Sequence, residues 1–240
     1  TAAEWMLTAS GPSSFSGAGP SVTSPTGFLA GTYELSESSA PGYSQDGDWV
    51  CVGGTQNDGD TITVCLGESA TCTVTNNDNP TSLTLIQEVI NNNGGTITAD
   101  AWTLSASGPT GFSGTTGVTS DAGFVPGAYD LSESVAPGYG RHGDWVCVGG
   151  TQDDGDTITV GLGESATCTI QNDDIPPVLI LSSQVVNDDG GTATAADWIL
   201  EADGPTPISG SGPSVSSSET FSAGEYTLTV SGGPAGYTVR

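Results

Sequence analysis

The chain has 240 residues, of which 28 are acidic and only two are basic, so its formal net charge at pH 7 is −26. Because almost no cation is present to meet a phosphate, this balance argues against nucleic acid and anionic membranes as partners. No stretch approaches the roughly 18 apolar residues of a membrane span, so the sequence predicts no membrane insertion.

An internal repeat of about 96 residues divides the chain. Trp5, Trp102 and Trp198 mark one position in three copies, and the segment 48–54 returns unchanged at 144–150. The repeat predicts three modules, at residues 1–79, 80–175 and 176–240. The first of them lacks an opening strand and the third lacks closing strands. Neither end falls on a module boundary, so we expect an interior piece of a longer protein.

Apolar and polar residues alternate with a period of two, which is typical of β-strands. Trp102, Leu104 and Ala106 share one face of such a strand, and equivalent runs occur in the other two modules at residues 5–9 and 198–202. About seven short strands in each repeat, separated by turns, are typical of a two-sheet sandwich. The sequence therefore predicts an all-β fold of tandem immunoglobulin-like sandwich modules.

The same alternation predicts whether Cys65, one of the five cysteines, is buried or exposed. Ile62, Val64 and Leu66 fall on the inward side of one predicted strand. Cys65 lies among them on the opposite parity, and Gly161 stands at its place in the second module. We therefore expect Cys65 to be exposed, as a free thiol or as an intermolecular link.

Two recurring motifs carry a resemblance to a known family. They are Gly31–Glu37 (GTYELSE) with residues 40–43 (APGY), and Gly127–Glu133 (GAYDLSE) with residues 136–139 (APGY). These motifs resemble the collagen-adhesin B-type, or prealbumin-like (SpaA-like), repeats of bacterial secreted surface proteins and pilins, in their disulfide-bearing variety. The resemblance covers every module and implies prealbumin-like β-sandwiches located outside the cell or at its surface.

Pilin members of that family form an isopeptide bond between a lysine and an asparagine beside a buried glutamate. The resemblance places Gln87, Glu133 and Asn172 at these three positions, with Gln87 where the family has lysine. The chain contains no lysine, so the bond cannot form. Because an unpaired buried carboxylate is costly, we predict that the trio is a hydrogen-bonded polar relic of the core and not a catalytic site.

Two cysteine pairs recur with equal spacing. Cys51 and Cys72 are 21 residues apart, as are Cys147 and Cys168. With the resemblance to disulfide-bearing repeats, this recurrence predicts one disulfide in each pair and an oxidising, extracellular setting. The alternative is four free thiols packed as small apolar groups.

Acidic residues at the two predicted joints suggest calcium. Asp78 lies at the first joint, and Asp173 and Asp174 lie at the second. Carboxylates are the hard oxygen ligands that calcium prefers, but neither joint has the EF-hand spacing. The sequence therefore predicts no obligatory cofactor, with calcium as the candidate ligand. The alternative is a solvated polar turn at each joint.

No pattern of residues indicates an enzyme. His142 is the sole histidine and Asp46 stands at its place in the first module, so no catalytic triad can be assembled. We predict that His142 is an exposed loop residue. The five tryptophans are predicted to pack in the cores, although a carbohydrate-stacking surface is the alternative.

Two classes of function remain. The first is an extracellular structural protein that forms a stalk, fibre or filament at a bacterial cell surface, with copies of itself or adjacent modules of a longer chain as partners. Its continuity would come from the covalent chain or from strand complementation. The second is an adhesin whose exposed loops, at residues 13–24 and 113–123, contact a host or surface ligand. Near identity of the first two repeats favours the structural class, because binding loops would be expected to diverge.

Overall fold

The computed structural model describes residues 1–239, in which strands and three short 3₁₀ helices are the regular elements. The first module contains β1 (Met6–Ser10), β2 (Phe15–Ala18), β3 (Gly31–Glu37), β4 (Tyr43–Gln45), β5 (Val50–Val52), β6 (Thr55–Gln56), β7 (Thr61–Val64), β8 (Thr71–Thr73) and β9 (Asn76–Asp78). The second contains β10 (Ser82–Ile90), β11 (Thr103–Ser107), β12 (Phe112–Thr115), β13 (Val118–Thr119), β14 (Gly127–Glu133), β15 (Tyr139–Arg141), β16 (Val146–Val148), β17 (Thr151–Gln152), β18 (Thr157–Val160) and β19 (Ser165–Asp174). The third contains β20 (Ile180–Ser182), β21 (Trp198–Asp203), β22 (Ile208–Ser211), β23 (Ser214–Ser216) and β24 (Thr227–Gly232). The 3₁₀ helices are Ala2–Glu4, Ala99–Ala101 and Ala195–Asp197. The predicted all-β class is confirmed.

The second module is a sandwich of two sheets. One sheet has the strand order β12-β11-β14-β18-β17. The other has the order β13-β10-β19-β15, and β16 also pairs with β19. The long strands β10 and β19 run parallel to each other, from the pair Ser82 and Ser165 to the pair Ile90 and Asp173. This central pair forms the middle of its sheet.

Alternation along the strands builds the core of the second module. Leu83 and Leu85 of β10 and Leu104 of β11 are fully buried, because successive side chains of a strand point to opposite faces. Trp102 and Trp145 pack in the same core. All five tryptophans of the chain are buried. Their predicted place in the cores is therefore correct, and they form no carbohydrate-stacking surface.

The first and third modules hold fewer strands. The first has the sheet β2-β1-β3-β7-β6, faced by two separate pairs, β4 with β9 and β5 with β8. Within residues 1–239, no strand of the first module takes the place that β10 has in the second. In the third module Leu228 is 62% exposed, whereas Leu131 at the same place in the second is 5% exposed. The second module therefore has the most complete core.

The prediction that Leu66 faces inward is wrong. Strand β7 ends at Val64, and the chain turns through Gly67 with φ of +82°. Leu66 is 91% exposed as a result, because alternation fixes side-chain direction only while the backbone stays extended. Cys65 is exposed and free, as predicted.

Accessible surface shows how little the modules bury against one another. The chain exposes 13829 Å². A single compact protein of 23.9 kDa would expose about 9,900 Å², and three separate domains of about 8 kDa would expose about 13,400 Å² together. The chain is therefore a series of separate small domains, whose orientation depends on a few contacts at each joint. Within residues 1–239, no helix is long and apolar enough to cross a bilayer.

Candidate functional site: disulfides, polar pairs and module joints

Each of the first two modules contains one disulfide, as predicted. Cys51 is bonded to Cys72, and Cys147 to Cys168. The bonded residues lie directly opposite each other, in β5 and β8 and in β16 and β19. Each bond therefore joins neighbouring strands of one sheet. In the second module it ties the edge strand β16 to the central strand β19.

Two members of the predicted polar trio meet in the second module. Asn172 Nδ2 donates to Glu133 Oε2 at 2.6 Å. The buried side chain of Gln87 forms no hydrogen bond with this pair, although β10 pairs Gln87 with Ile170, two residues before Asn172. Its Nε2 donates to the backbone oxygen of Glu88 at 2.8 Å, and its buried Oε1 has no partner. The predicted polar trio is therefore a hydrogen-bonded pair, Glu133 with Asn172, and a third amide, Gln87, that bonds elsewhere.

The first module keeps the same polar pair. Asn76 Nδ2 donates to Glu37 Oε2 at 2.8 Å. Burial raises the pKa of Glu133 in the second module, while the hydrogen bond from Asn172 and the charge of Arg141 act against this rise. The half-buried carboxyl is thus easier to protonate in the folded module than in the unfolded chain.

The raised pKa predicts how stability changes with pH. A carboxyl whose pKa is raised by folding stabilises the fold below its ordinary value of 4.5, and this contribution is lost as the pH rises through the higher folded value. We expect Glu133→Gln to remove that loss, so that the melting temperature of the second module falls less between pH 4 and pH 7 than in the wild type.

Calorimetry at the two pH values measures this effect. Asp130→Asn is the matched control, because Asp130 lies on the exposed side of the same strand. The control should keep the pH dependence of the wild type. Equal pH dependence in the wild type and Glu133→Gln would contradict the assignment.

A basic side chain lies among acidic residues in the second module but not in the first. Arg141 contacts Asp156 at 2.5 Å and Asp144 at 3.8 Å. In the first module Gln45 takes the place of Arg141, and its Nε2 donates to the backbone oxygen of Gly47 at 2.7 Å. A polar cavity of about 420 Å³ opens beside Gln45. His142 is exposed next to Arg141, as predicted.

The structure gives Asp174 a role that the sequence did not reveal. The Asp174 side chain is 5% exposed and accepts hydrogen bonds from three backbone amides. Its Oδ1 accepts from Asn92 at 3.0 Å and from Asn93 at 2.9 Å, and its Oδ2 accepts from Gly95 at 2.5 Å. The end of β19 therefore holds the loop at residues 91–95, which follows β10.

These contacts correct the predicted calcium ligands. Asp174 is not free to bind a cation, because backbone amides occupy both of its oxygens. Asp78 is exposed at the first joint, and Asp173 is half-buried with one oxygen that has no partner. Nowhere in residues 1–239 do three acidic, histidine or cysteine side chains converge to hold a metal. Calcium at Asp78 or Asp173 stays a prediction.

Direct packing connects the first module to the second. A Cβ atom on Gly42 would lie 2.8 Å from Leu162 Cγ, so the two residues are in close contact. The backbone oxygen of Gly42 accepts from Asn79 N at 2.8 Å. Asn79 lies in turn against Gly163. The 161–163 turn of the second module thus packs on the end of the first.

A different set of contacts connects the second module to the third. Asn93 is 7% exposed, and its Nδ2 donates to the backbone oxygens of Glu219 and Phe221, both at 3.2 Å. The backbone oxygen of Asn93 accepts from Ala223 N at 2.6 Å. Since Asp174 holds the loop that carries Asn93, the joint and the end of the second module form one hydrogen-bonded unit.

Comparison with known families identifies the modules. The prealbumin-like fold domain matches residues 1–74, 78–170 and 174–240. The chain belongs to this prealbumin-like family. The match extends over all three repeats and confirms the resemblance that the GTYELSE and GAYDLSE motifs carry. Prealbumin-like modules are of a structural or adhesive type, and here three are linked in one chain.

Two solved structures are similar to this prealbumin-like chain. The TIE protein of Bacillus anthracis is 15% identical with a TM-score of 0.49, over 99% of this chain and 45% of that one. The major pilin protein (T-13) of Streptococcus pyogenes serotype GAS131465 is 15% identical with a TM-score of 0.27, over 67% of this chain and 72% of that one. The chain spans less than half the length of the Bacillus protein. None of the curated proteins compared matches it.

Proposed function

We propose that the chain belongs to an extracellular structural protein whose prealbumin-like modules form a stalk, fibre or filament at a bacterial cell surface. The accessible surface carries this proposal, since 13829 Å² is what separate domains in series expose. A series of small domains joined by short contacts spans a long distance with few residues. Its partners are then adjacent modules or further copies of the same chain.

The disulfides support an extracellular location for the protein. Bonds such as Cys51–Cys72 and Cys147–Cys168 persist in oxidising compartments and are rare where glutathione and thioredoxin keep thiols reduced. Each ties an exposed edge strand to its neighbour. A stalk outside the cell would gain resistance to unfolding and to proteolysis, because cleavage requires local opening of the strands.

The adhesin alternative has less support. Residues 13–24 and 113–123 are only partly the open loops that the sequence suggested, because strands occupy part of each range. The first range contains all of β2, which pairs with β1. The second contains most of β12 and all of β13, which pair with β11 and β10. Segments held in sheets are less free to adapt to a ligand than loops are.

Immunogold labelling of intact cells of the source strain tests the structural proposal. With antibodies raised against the purified chain, we expect gold particles along fibres that extend from the envelope. Cells lacking the gene are the control and should show neither label nor fibres. Label confined to the cell interior, or spread over the surface with no fibre beneath it, would overturn the proposal.

A further inference from the structure

Four oxygen atoms of the second module surround the side chain of one arginine. Arg141 projects from β15, and its Nε donates to the backbone oxygen of Gly143 at 2.9 Å. Its Nη2 donates to the backbone oxygen of Gly155 at 3.4 Å and to Asp156 Oδ1 at 2.5 Å, and lies 3.8 Å from Asp144 Oδ1. Two carboxylates and two backbone oxygens therefore form the environment of this guanidinium.

The first module builds the same frame of acceptors. Trp49 N donates to the backbone oxygen of Gly59 at 2.9 Å, and a Cβ atom added at Gly59 would lie 2.6 Å from Asp48 Cγ. Leu35 N donates to the backbone oxygen of Asp60 at 2.7 Å. The corresponding distances in the second module are 3.1, 2.8 and 2.7 Å. The backbone that carries these acceptors is therefore arranged alike in the two modules.

A glutamine stands where the second module has its arginine. Gln45 Nε2 donates to the backbone oxygen of Gly47 at 2.7 Å, as Arg141 does through Nε to the equivalent glycine. The glutamine side chain ends at that amide, so it has no counterpart of Nη2. The polar cavity of about 420 Å³ lies here, and Gln45, Asp48 and Asp60 line it. The cavity is thus lined by the counterparts of residues that hold a guanidinium in the second module.

The acidic residues of this cavity differ in how far their oxygens are engaged. Asp58 Oδ1 accepts from two backbone amides of its own turn, at 3.2 and 2.8 Å. Glu37 uses one oxygen in its bond with Asn76. Asp48 and Asp60 are exposed, and no basic side chain within residues 1–239 contacts them. Asp48 and Asp60 are therefore the carboxylates that can accept from a ligand.

A guanidinium suits this arrangement better than a metal ion does. Calcium requires several oxygens that converge on one point, and residues 1–239 contain no group of three acidic, histidine or cysteine side chains that could hold a metal. A planar guanidinium instead spreads five N–H donors over separated acceptors. Leu35 and Trp49 also line the cavity. The methylene stem of an arginine packs on apolar surface of this kind.

Neither end of the chain opens this cavity. In the second module β10 lies on the far side of β19 from β15. An opening strand in the first module would therefore lie on the opposite edge of its sheet from Gln45. The second module is already in place on the first. The turn at residues 65–67, which corresponds to the 161–163 turn of the first joint, lies at the other end of β7 from Asp60.

We propose that this cavity of the first module binds a guanidinium group, with Asp48 and Asp60 as its charged acceptors and the backbone oxygen of Gly59 as a third. The group belongs to an arginine side chain of a partner protein or to a small guanidinium compound. The net charge of −26 raises the local concentration of such cations. The site goes beyond the proposed fibre function, and the second module lacks it because Arg141 occupies the equivalent place.

NMR titration of the 240-residue chain with Nα-acetyl-arginine methylamide tests the site. We expect saturable shifts of the backbone amides of Trp49, Gly59 and Asp60, while the equivalent amides at residues 145, 155 and 156 stay unchanged. Methylguanidinium is the second probe. Tighter binding of the capped arginine would indicate a partner's side chain, and equal binding of the two probes would indicate a small guanidinium compound.

Exchanging one residue between the modules provides matched variants. Gln45→Arg should abolish the response of the first module, because its own guanidinium would then take the acceptors. Arg141→Gln should create the response in the second module. Each exchange copies a residue that the other module already carries, so both variants should fold. Asp60→Asn should weaken binding at least about tenfold, because a charge-assisted hydrogen bond is lost.

Four results would overturn the proposal. They are the absence of shifts in the first module, equal shifts in both modules of the wild type, shifts that persist in Gln45→Arg, and an equal response to Nα-acetyl-lysine methylamide. The last result would mean that a point charge serves as well as a planar guanidinium. The acidic residues would then attract cations in general and recognise no particular group.

Discussion

Replacing Cys147 and Cys168 by alanine is expected to lower the free energy of unfolding of the second module by about 3 kcal/mol, because the bond restricts the unfolded chain over a separation of 21 residues. For a domain of this size, that loss corresponds to a melting temperature roughly 12–24 °C lower. Burial of Cys168 adds to the effect, since alanine leaves a small cavity in the core. Calorimetry under oxidising conditions measures the shift.

The control for this experiment is Cys65→Ala, which removes the exposed thiol and no disulfide. It should melt within about 2–4 °C of the wild type, since surface substitutions usually change stability by less than about 0.5 kcal/mol. Reduction of the wild type should reproduce the loss in the second module. A double variant that melts with the wild type would show that the bond contributes little.

Asp174→Ala is expected to lower the free energy of unfolding of the second module by about 3 kcal/mol or more, because three backbone amides at a buried site lose their charged acceptor. The loop that carries Asn93 should loosen at the same time. Amide hydrogen exchange at Asn92, Asn93 and Gly95 should therefore speed up in the variant, and denaturant unfolding measures the loss of stability.

The chain offers its own control for this substitution. Asp78 occupies the place of Asp174 in the first module but is exposed. Asp78→Ala should change stability by no more than about 0.5 kcal/mol. Similar losses from the two substitutions would mean that the amide contacts of Asp174 stabilise little, and that its burial has another cause.

The fold was predictable because one local rule governs most of it. Alternation placed Trp102, Leu104 and Ala106 on one buried face, and the repeat allowed each strand to be compared with its copies. Recurrence of two cysteines at one separation, together with the resemblance to disulfide-bearing repeats, paired them correctly. The same rule failed at Leu66, because β7 ends two residues earlier, at Val64, and the turn that follows directs the Leu66 side chain into solvent.

Contacts across long stretches of chain were not predictable in this way. Asp174 binds amides about 80 residues earlier in the chain, and parity says only that its side chain faces inward. Gln87 has the expected parity, but its amide donates to the backbone oxygen of Glu88 and not to the Glu133–Asn172 pair, and parity does not predict which partner a side chain takes. A signal for the joint was present in the run Asn-Asn-Asn-Gly-Gly at 91–95, which returns as Asn-Asp-Asp-Gly-Gly at 187–191.

In a fibre of the proposed kind, joints made by direct contacts between modules would give the fibre a defined direction. The first module packs a glycine turn on the second, and the second module packs an asparagine loop on the third. Because each joint buries little area, loss of one contact should change module orientation more than module stability. Substitutions at Asn93 or Leu162 should therefore bend the chain without unfolding it.

Small-angle X-ray scattering of the oxidised, monomeric chain tests the central claim, that three modules lie in an extended series held by direct contacts. A compact globule of 240 residues would have a radius of gyration of about 18 Å. The structure predicts a radius of gyration well above that value, with the cross-section of a single module. A radius of gyration near 18 Å would contradict the account.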